Sequence, residues 1–158
     1  MSNHFISKAT VTAADANAMQ SIGYAIGERL FPNAFIALFG ELGSGKTTLT
    51  KGIASALDII GIISPTFTIV RSYVGRLALD HFDAYRIEDA DELTAIGYAD
   101  YLSSESVIVM EWCENVLDAL PLQRLELHLE GSGNDVRTIS VIAYSDEYQK
   151  IMEALEKC

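Results

Sequence analysis

Ala34-Phe35-Ile36-Ala37-Leu38-Phe39 runs directly into Gly40-Glu41-Leu42-Gly43-Ser44-Gly45-Lys46-Thr47, and this stretch decides how the rest of the 158-residue chain is read. The segment 34–39 is wholly apolar and bounded by turn formers, the pattern of a short strand buried on both faces. Residues 40–47 fit GxxxxGK[ST], and Lys46 to Leu57 reads as a helix, so strand, loop and helix follow in the order a phosphate-binding loop requires. Glycines let the backbone curl with its N–H groups inward, where larger side chains would obstruct both the turn and the anion. The helix that starts near Gly45 offers unpaired N–H groups and the positive end of its dipole to phosphate. Lys46 adds a point charge for the terminal phosphates, and Thr47 a hydroxyl for Mg²⁺. Ordinary residue frequencies produce the pattern by chance in roughly one chain of this length in two hundred. A site for a nucleoside triphosphate with magnesium is therefore expected here.

Working outward, a phosphate loop needs a carboxylate at the end of a neighbouring strand to hold the magnesium shell or orient water. Glu111, closing the apolar run Val107-Ile108-Val109-Met110, is the natural candidate; the alternative is a plain surface carboxylate. Asp80 and Asp83 lie on or just after another β-rich run, and either one is placed to position an attacking water. Ser64-Pro65-Thr66-Phe67-Thr68 joins a stiff proline to hydroxyls, which suits a γ-phosphate sensor or an ordinary polar connection.

The remaining elements frame this unit. Thr12-Ala13-Ala14-Asp15 resembles a capping box opening a helix with Met19, Ile22, Ile26 and Leu30 on one face, ended by Pro32-Asn33. Thr66 to Tyr73 and Arg76 to Phe82 form a hairpin around Gly75, and Leu122 to Leu129 with Val136 to Ala143 form another. Glu88 to Leu102 reads as short helical pieces broken at Gly97, and Ser145 caps a last helix. The expectation is one α/β domain over residues 1–158: a three-layer, P-loop NTPase-like fold with a mixed sheet and antiparallel hairpins.

Composition limits the partners. Eleven Lys and Arg face 22 Asp and Glu, a net charge of −11, so a long nucleic acid is a poor ligand for the whole surface. A basic partner protein or a local basic cleft fits better. No apolar run approaches the roughly 20 residues needed to span a bilayer. Cys113 and Cys158 lack a CxxC spacing and read as free thiols in a reducing cytoplasm. His4, His81 and His128 do not cluster with cysteines, so zinc has no support. No Lys is followed two places later by Asp, which removes the guanine-reading signal of GTPases, and no Arg-rich lid insertion lies between Glu88 and Val107.

Five landmarks, taken in order, resemble the TsaE (YjeE-like) family of small bacterial P-loop ATPases. They are GELGSGKTT at 40–48, SPTFTIV at 64–70, HFDAYR at 81–86, Glu111-Trp112 and Leu120-Pro121, and the resemblance covers roughly residues 12–140. The resemblance implies a part in making threonylcarbamoyladenosine beside the tRNA anticodon. It implies weak hydrolysis of ATP to ADP and phosphate, stimulated by TsaD- and TsaB-like partners that hold most of the tRNA. It further implies that Glu41, Leu42, Gly43, Ser44, Gly45, Lys46, Thr47 and Thr48 bind ATP, and that Thr47 and Glu111 hold Mg²⁺. Lys46, Asp83 and Glu111 are then the catalytic set, with Asp83 positioning or deprotonating water. The SPTFT loop is a switch, Tyr85 and Arg86 anchor a strand end or meet a partner, and Thr12 and Arg137 reach base and ribose. Trp112 packs near the nucleotide, the partner or the core. Two other classes stay open: a small-molecule kinase in which Asp83 and Arg86 hold the acceptor, and a nucleotide sensor without catalysis. The helix after Ser145 carries no motif of the family.

Overall fold

The structure is a computed structural model that describes residues 4–158. Seven strands form one sheet in the order β1-β7-β6-β2-β5-β4-β3. They are β1 (Ser7–Ala13), β2 (Phe35–Phe39), β3 (Val70–Tyr73), β4 (Leu79–Asp83), β5 (Val107–Glu111), β6 (Leu125–Glu130) and β7 (Arg137–Ala143). The central four, β6-β2-β5-β4, are parallel, while β3 on one side and β7 with β1 on the other pair antiparallel. The sheet is therefore mixed, and both expected hairpins are present as β3–β4 and β6–β7.

Period-two side-chain alternation divides β2 between two cores. Ile36 and Leu38 join Met19, Ile22, Ile26, Leu49, Ile53 and Met152, contributed by helices α1 (Ala16–Gly27), α2 (Lys46–Ala56) and α5 (Gln149–Leu155). Phe35, Ala37 and Phe39 face Phe82, Met110, Leu93 and Tyr98, the last two from short helices α3 (Ala90–Ala95) and α4 (Tyr98–Leu102). A strand buried on both faces has no solvent side, which is why 34–39 lacks alternation. Burying each Leu, Ile or Phe contributes roughly 1.5–3 kcal/mol, so the strand carrying the phosphate loop is anchored from both layers.

The N-terminal reading needs correction. Thr12 lies in a strand, opposite Thr138 in the β1–β7 ladder, and the first helix starts later, at Ala16. Asp15 is the N-cap, its Oδ1 accepting from the Ala18 N–H at 2.8 Å. The helix also ends at Gly27, short of Pro32-Asn33. Two cap-forming residues stand close together here, and the ladder with β7 decides between them. Likewise the first hairpin's leading strand starts at Val70, because residues 66–69 form a turn in which the Thr68 and Ile69 N–H groups both donate to the Pro65 carbonyl.

α1 and α2 approach so closely that glycine is required between them. A Cβ on Gly52 would lie 2.2 Å from the Gln20 carbonyl oxygen, and one on Gly23 would lie 2.2 Å from that of Leu49. Because both obstacles are backbone, Gly52→Ala is expected to force the helices apart and destabilise the protein by about 1–3 kcal/mol, despite alanine's better helix propensity. A denaturant midpoint equal to or above that of the parent protein would refute this.

Candidate functional site

The carboxyl ends of β2, β4 and β5 open on a cleft of about 600 Å³ lined by the phosphate loop, the segment after β1, the 64–66 turn, Trp112 and the 133–137 turn. This is where an open α/β sheet offers its ligand crevice. Gly45 holds φ +107 at the start of α2, a left-handed backbone that glycine adopts without strain.

Lys46 is folded back over its own loop. Its Nζ donates to the Gly40 carbonyl and, at 3.1 Å, to the Glu41 carbonyl, and lies 3.9 Å from the centre of the Trp112 ring. Burial lowers its pKa below the usual lysine value, and the carboxylates of Glu111, Glu114, Asp83 and Glu41 partly offset this. A buried ammonium whose nearest partners are neutral carbonyls gains by meeting a polyphosphate.

Glu111 is 3% exposed, so it is not a plain surface carboxylate. Thr47 Oγ1 donates to its Oε1 at 3.2 Å, and His81 Nε2 lies 2.6 Å from its Oε2. Asp83 stands beside it, because Asp83 and Glu111 are paired in the parallel β4–β5 register. The Asp83 carboxylate accepts from Thr66 Oγ1 at 2.8 Å, Ser64 Oγ at 3.3 Å and the Tyr85 N–H at 2.9 Å. The SPTFT loop is thereby tied to the carboxylate. Asp80 belongs elsewhere: it sits nearer the other end of β4, accepting from Ser72 at 2.6 Å and Ser106 at 2.5 Å. Trp112, at φ +60, turns sharply off β5, lines the cleft, tilts against Tyr85 at 4.9 Å and also touches the second core.

Leu42, Gly43, Ser44, Gly45, Lys46, Thr47, Thr48 and Arg137 line the cleft together with Asp83 and Glu111. Glu41 contributes its backbone carbonyl from an exposed turn. Arg137 is spent on structure: Nε donates to the Ser44 carbonyl at 3.1 Å, and Nη2 to those of Gly43 and Gly133, both at 3.1 Å. Thr12 lies outside this lining, where Ala14, Asp15 and Ala16 stand instead. Among the residues around the site that the sequence leaves without a role are His81, Glu114 and Asn134. His81 had a signal, since it lies two places before Asp83 on the same strand face. Glu114, whose carboxylate accepts from the Gly40 N–H at 3.1 Å, and Asn134 in the 133–137 turn had none.

The residues present fit a magnesium nucleotide. Ser44 Oγ is buried with no hydrogen-bond partner among the described residues, and next to it Gly43 faces open space where a Cβ would stand. A threonine hydroxyl and a buried carboxylate form the hard oxygen pair that Mg²⁺ prefers.

Comparison with known proteins identifies a family. The family described as "Threonylcarbamoyl adenosine biosynthesis protein TsaE" matches residues 13–139. A Bacillus subtilis protein called tRNA threonylcarbamoyladenosine biosynthesis protein TsaE is 39% identical over 128 residues, 80% of each chain. A Streptomyces coelicolor protein of the same name is 34% identical over 139 residues, covering 82% of this chain and 93% of its own. The crystal structure of Bacillus subtilis YdiB superposes with a TM-score of 0.83 at 30% identity, covering 98% of this chain and 97% of that one.

Proposed function

This chain belongs to the TsaE family, whose work is tRNA threonylcarbamoyladenosine biosynthesis, and on that premise we propose that it binds ATP with Mg²⁺ and hydrolyses it slowly in the cytoplasm. Hydrolysis serves a complex with TsaD- and TsaB-like proteins, which contact most of the tRNA. The observation that carries the reading is the meeting of Lys46, Thr47, Glu111 and Asp83 in one buried corner at the ends of β2, β4 and β5.

Each residue has a chemical task. The loop N–H groups and the start of α2 receive phosphate oxygens. Lys46 exchanges its two carbonyls for the terminal phosphates. Bound Mg²⁺ supplies charge neutralisation on the phosphate oxygens, and Thr47 with Glu111 are the residues that would hold it. Asp83 has about four lone-pair sites and three donors, which leaves capacity to orient a water and take its proton. Ser64 and Thr66 hold that carboxylate, so a phosphate that draws either hydroxyl away changes Asp83 in the same movement. Trp112 and Tyr85 wall the corner from solvent.

The test is direct. Phosphate release by the purified chain is measured alone and with candidate TsaD- and TsaB-like proteins. Slow release that rises on mixing is the expected result. Neither binding nor stimulation, at any partner ratio, would overturn the reading.

A further inference from the structure

A buried group beside Glu111 takes no part in the proposed chemistry. His81 is fully buried in the middle of β4, and its Nε2 lies 2.6 Å from Glu111 Oε2. Its other ring nitrogen, Nδ1, is buried with no hydrogen-bond partner among the described residues. A carboxylate has only acceptors, so Nε2 carries the proton and donates. An orphaned buried polar atom is a cost that an apolar side chain would avoid at this position. On the same face of β4 the flanking residues are Leu79, a core residue, and Asp83, at the site. The imidazole thus stands where the core gives way to the cleft, with one end aimed at a functional carboxylate and the other at nothing.

We infer that His81 is the positioning residue for Glu111: its Nε2–H fixes the carboxylate rotamer so that the metal-facing oxygen stays opposite Thr47. Thr47 Oγ1 approaches Glu111 Oε1 at 3.2 Å and Oε2 at 3.4 Å, so both oxygens sit near the hydroxyl and the threonine alone does not select one. The strong contact from His81 reaches Oε2 only, and this breaks the symmetry. Oε2 is held by the imidazole, and Oε1 is left as the oxygen for the cation. Such outer partners of metal-binding groups commonly govern affinity by about 10–100-fold. The inference rests on the reading of Thr47 and Glu111 as the Mg²⁺-holding pair.

Two substitutions separate positioning from packing. A glutamine side chain places its amide N–H₂ where Nε2 stands, whereas asparagine is shorter and places its amide near Nδ1. The affinity of ADP is measured by calorimetry with and without MgCl₂, alongside unfolding midpoints. The parent protein is expected to bind ADP more tightly with Mg²⁺. His81→Asn is expected to lose about 10–100-fold of Mg²⁺-dependent affinity while metal-free ADP binding stays unchanged, and His81→Gln to recover most of it. A purely structural histidine predicts otherwise: the two variants shift the unfolding midpoint and leave the Mg²⁺ dependence at the parent value, which overturns the inference. A parent protein whose ADP affinity ignores Mg²⁺ overturns the site reading first, and this inference with it.

Discussion

Lys46→Ala is expected to reduce ATP turnover by at least about 10²-fold, the usual cost of deleting one preorganised charge aimed at a transferring group. The expectation rests on how little positive charge the cleft has to offer. Lys46 and Arg137 are the only Lys or Arg side chains lining it among the described residues, and Arg137 is occupied with the carbonyls of Ser44, Gly43 and Gly133. Around Lys46 stand the carboxylates of Glu111, Glu114, Asp83 and Glu41, a set that repels polyphosphate once the ammonium is gone. The substitution also releases the Gly40 and Glu41 carbonyls and the Trp112 ring, so the loop loses its internal clasp. Lys46→Met separates the two losses, because its unbranched chain still covers Trp112 without the charge. Nucleotide titration and single-turnover hydrolysis on both variants decide the matter. Turnover within a few-fold of the parent protein in either would show that Lys46 only braces the loop.

Asp83→Asn is expected to lower turnover by about 10²–10⁴-fold, while nucleotide affinity stays close to that of the parent protein. An asparagine keeps the shape and one oxygen to accept from Thr66, Ser64 or the Tyr85 N–H, so the 64–68 turn has reason to stay in place. What it cannot do is take a proton from water. Asp83 is 4% exposed, lines the cleft and sits register-paired with Glu111, so water reaches it from the cleft. The measurement is kcat against KM: a fall in kcat at constant KM marks a group used in the chemical step. A rise in KM alone would make Asp83 a clasp for the turn rather than the base.

Much of this site was legible because its chemistry is local. The loop from Gly40 to Thr47 is specified by residues that touch one another, and its flanking strand and helix are specified by an unbroken apolar run and by helical spacing. Gly97 was legible as a break for the same reason: its φ of +84 separates α3 from α4 within a few residues. The N-terminal strand was not. Ser7–Ala13 alternates Ala9, Val11 and Ala13 with Lys8, Thr10 and Thr12, but its inward side chains are small, and β7 supplies the ladder that holds it, from Ser7↔Ala143 to Ala13↔Arg137. Thr12 was consequently read as a helix cap, when its place is set by a partner more than a hundred residues away.

By itself, then, the sequence determined a phosphate loop between a buried strand and a helix, a carboxylate closing a second buried strand, and a mixed α/β sheet to carry them. It also contained HFDAYR and SPTFT, yet not their meeting. Only the tertiary structure laid β4 beside β5, which set Asp83 level with Glu111 and put His81 against it. Only the tertiary structure folded Glu114 back to Gly40, and it gave the physical ground for Asp83 over Asp80 by placing one at the cleft and the other among serines near the far end of the strand. The physical reason is one of range. Backbone conformation and capping are decided within a turn or two of chain, whereas strand order and register are decided by burying whole faces at once, and catalytic neighbours on adjacent strands inherit that decision.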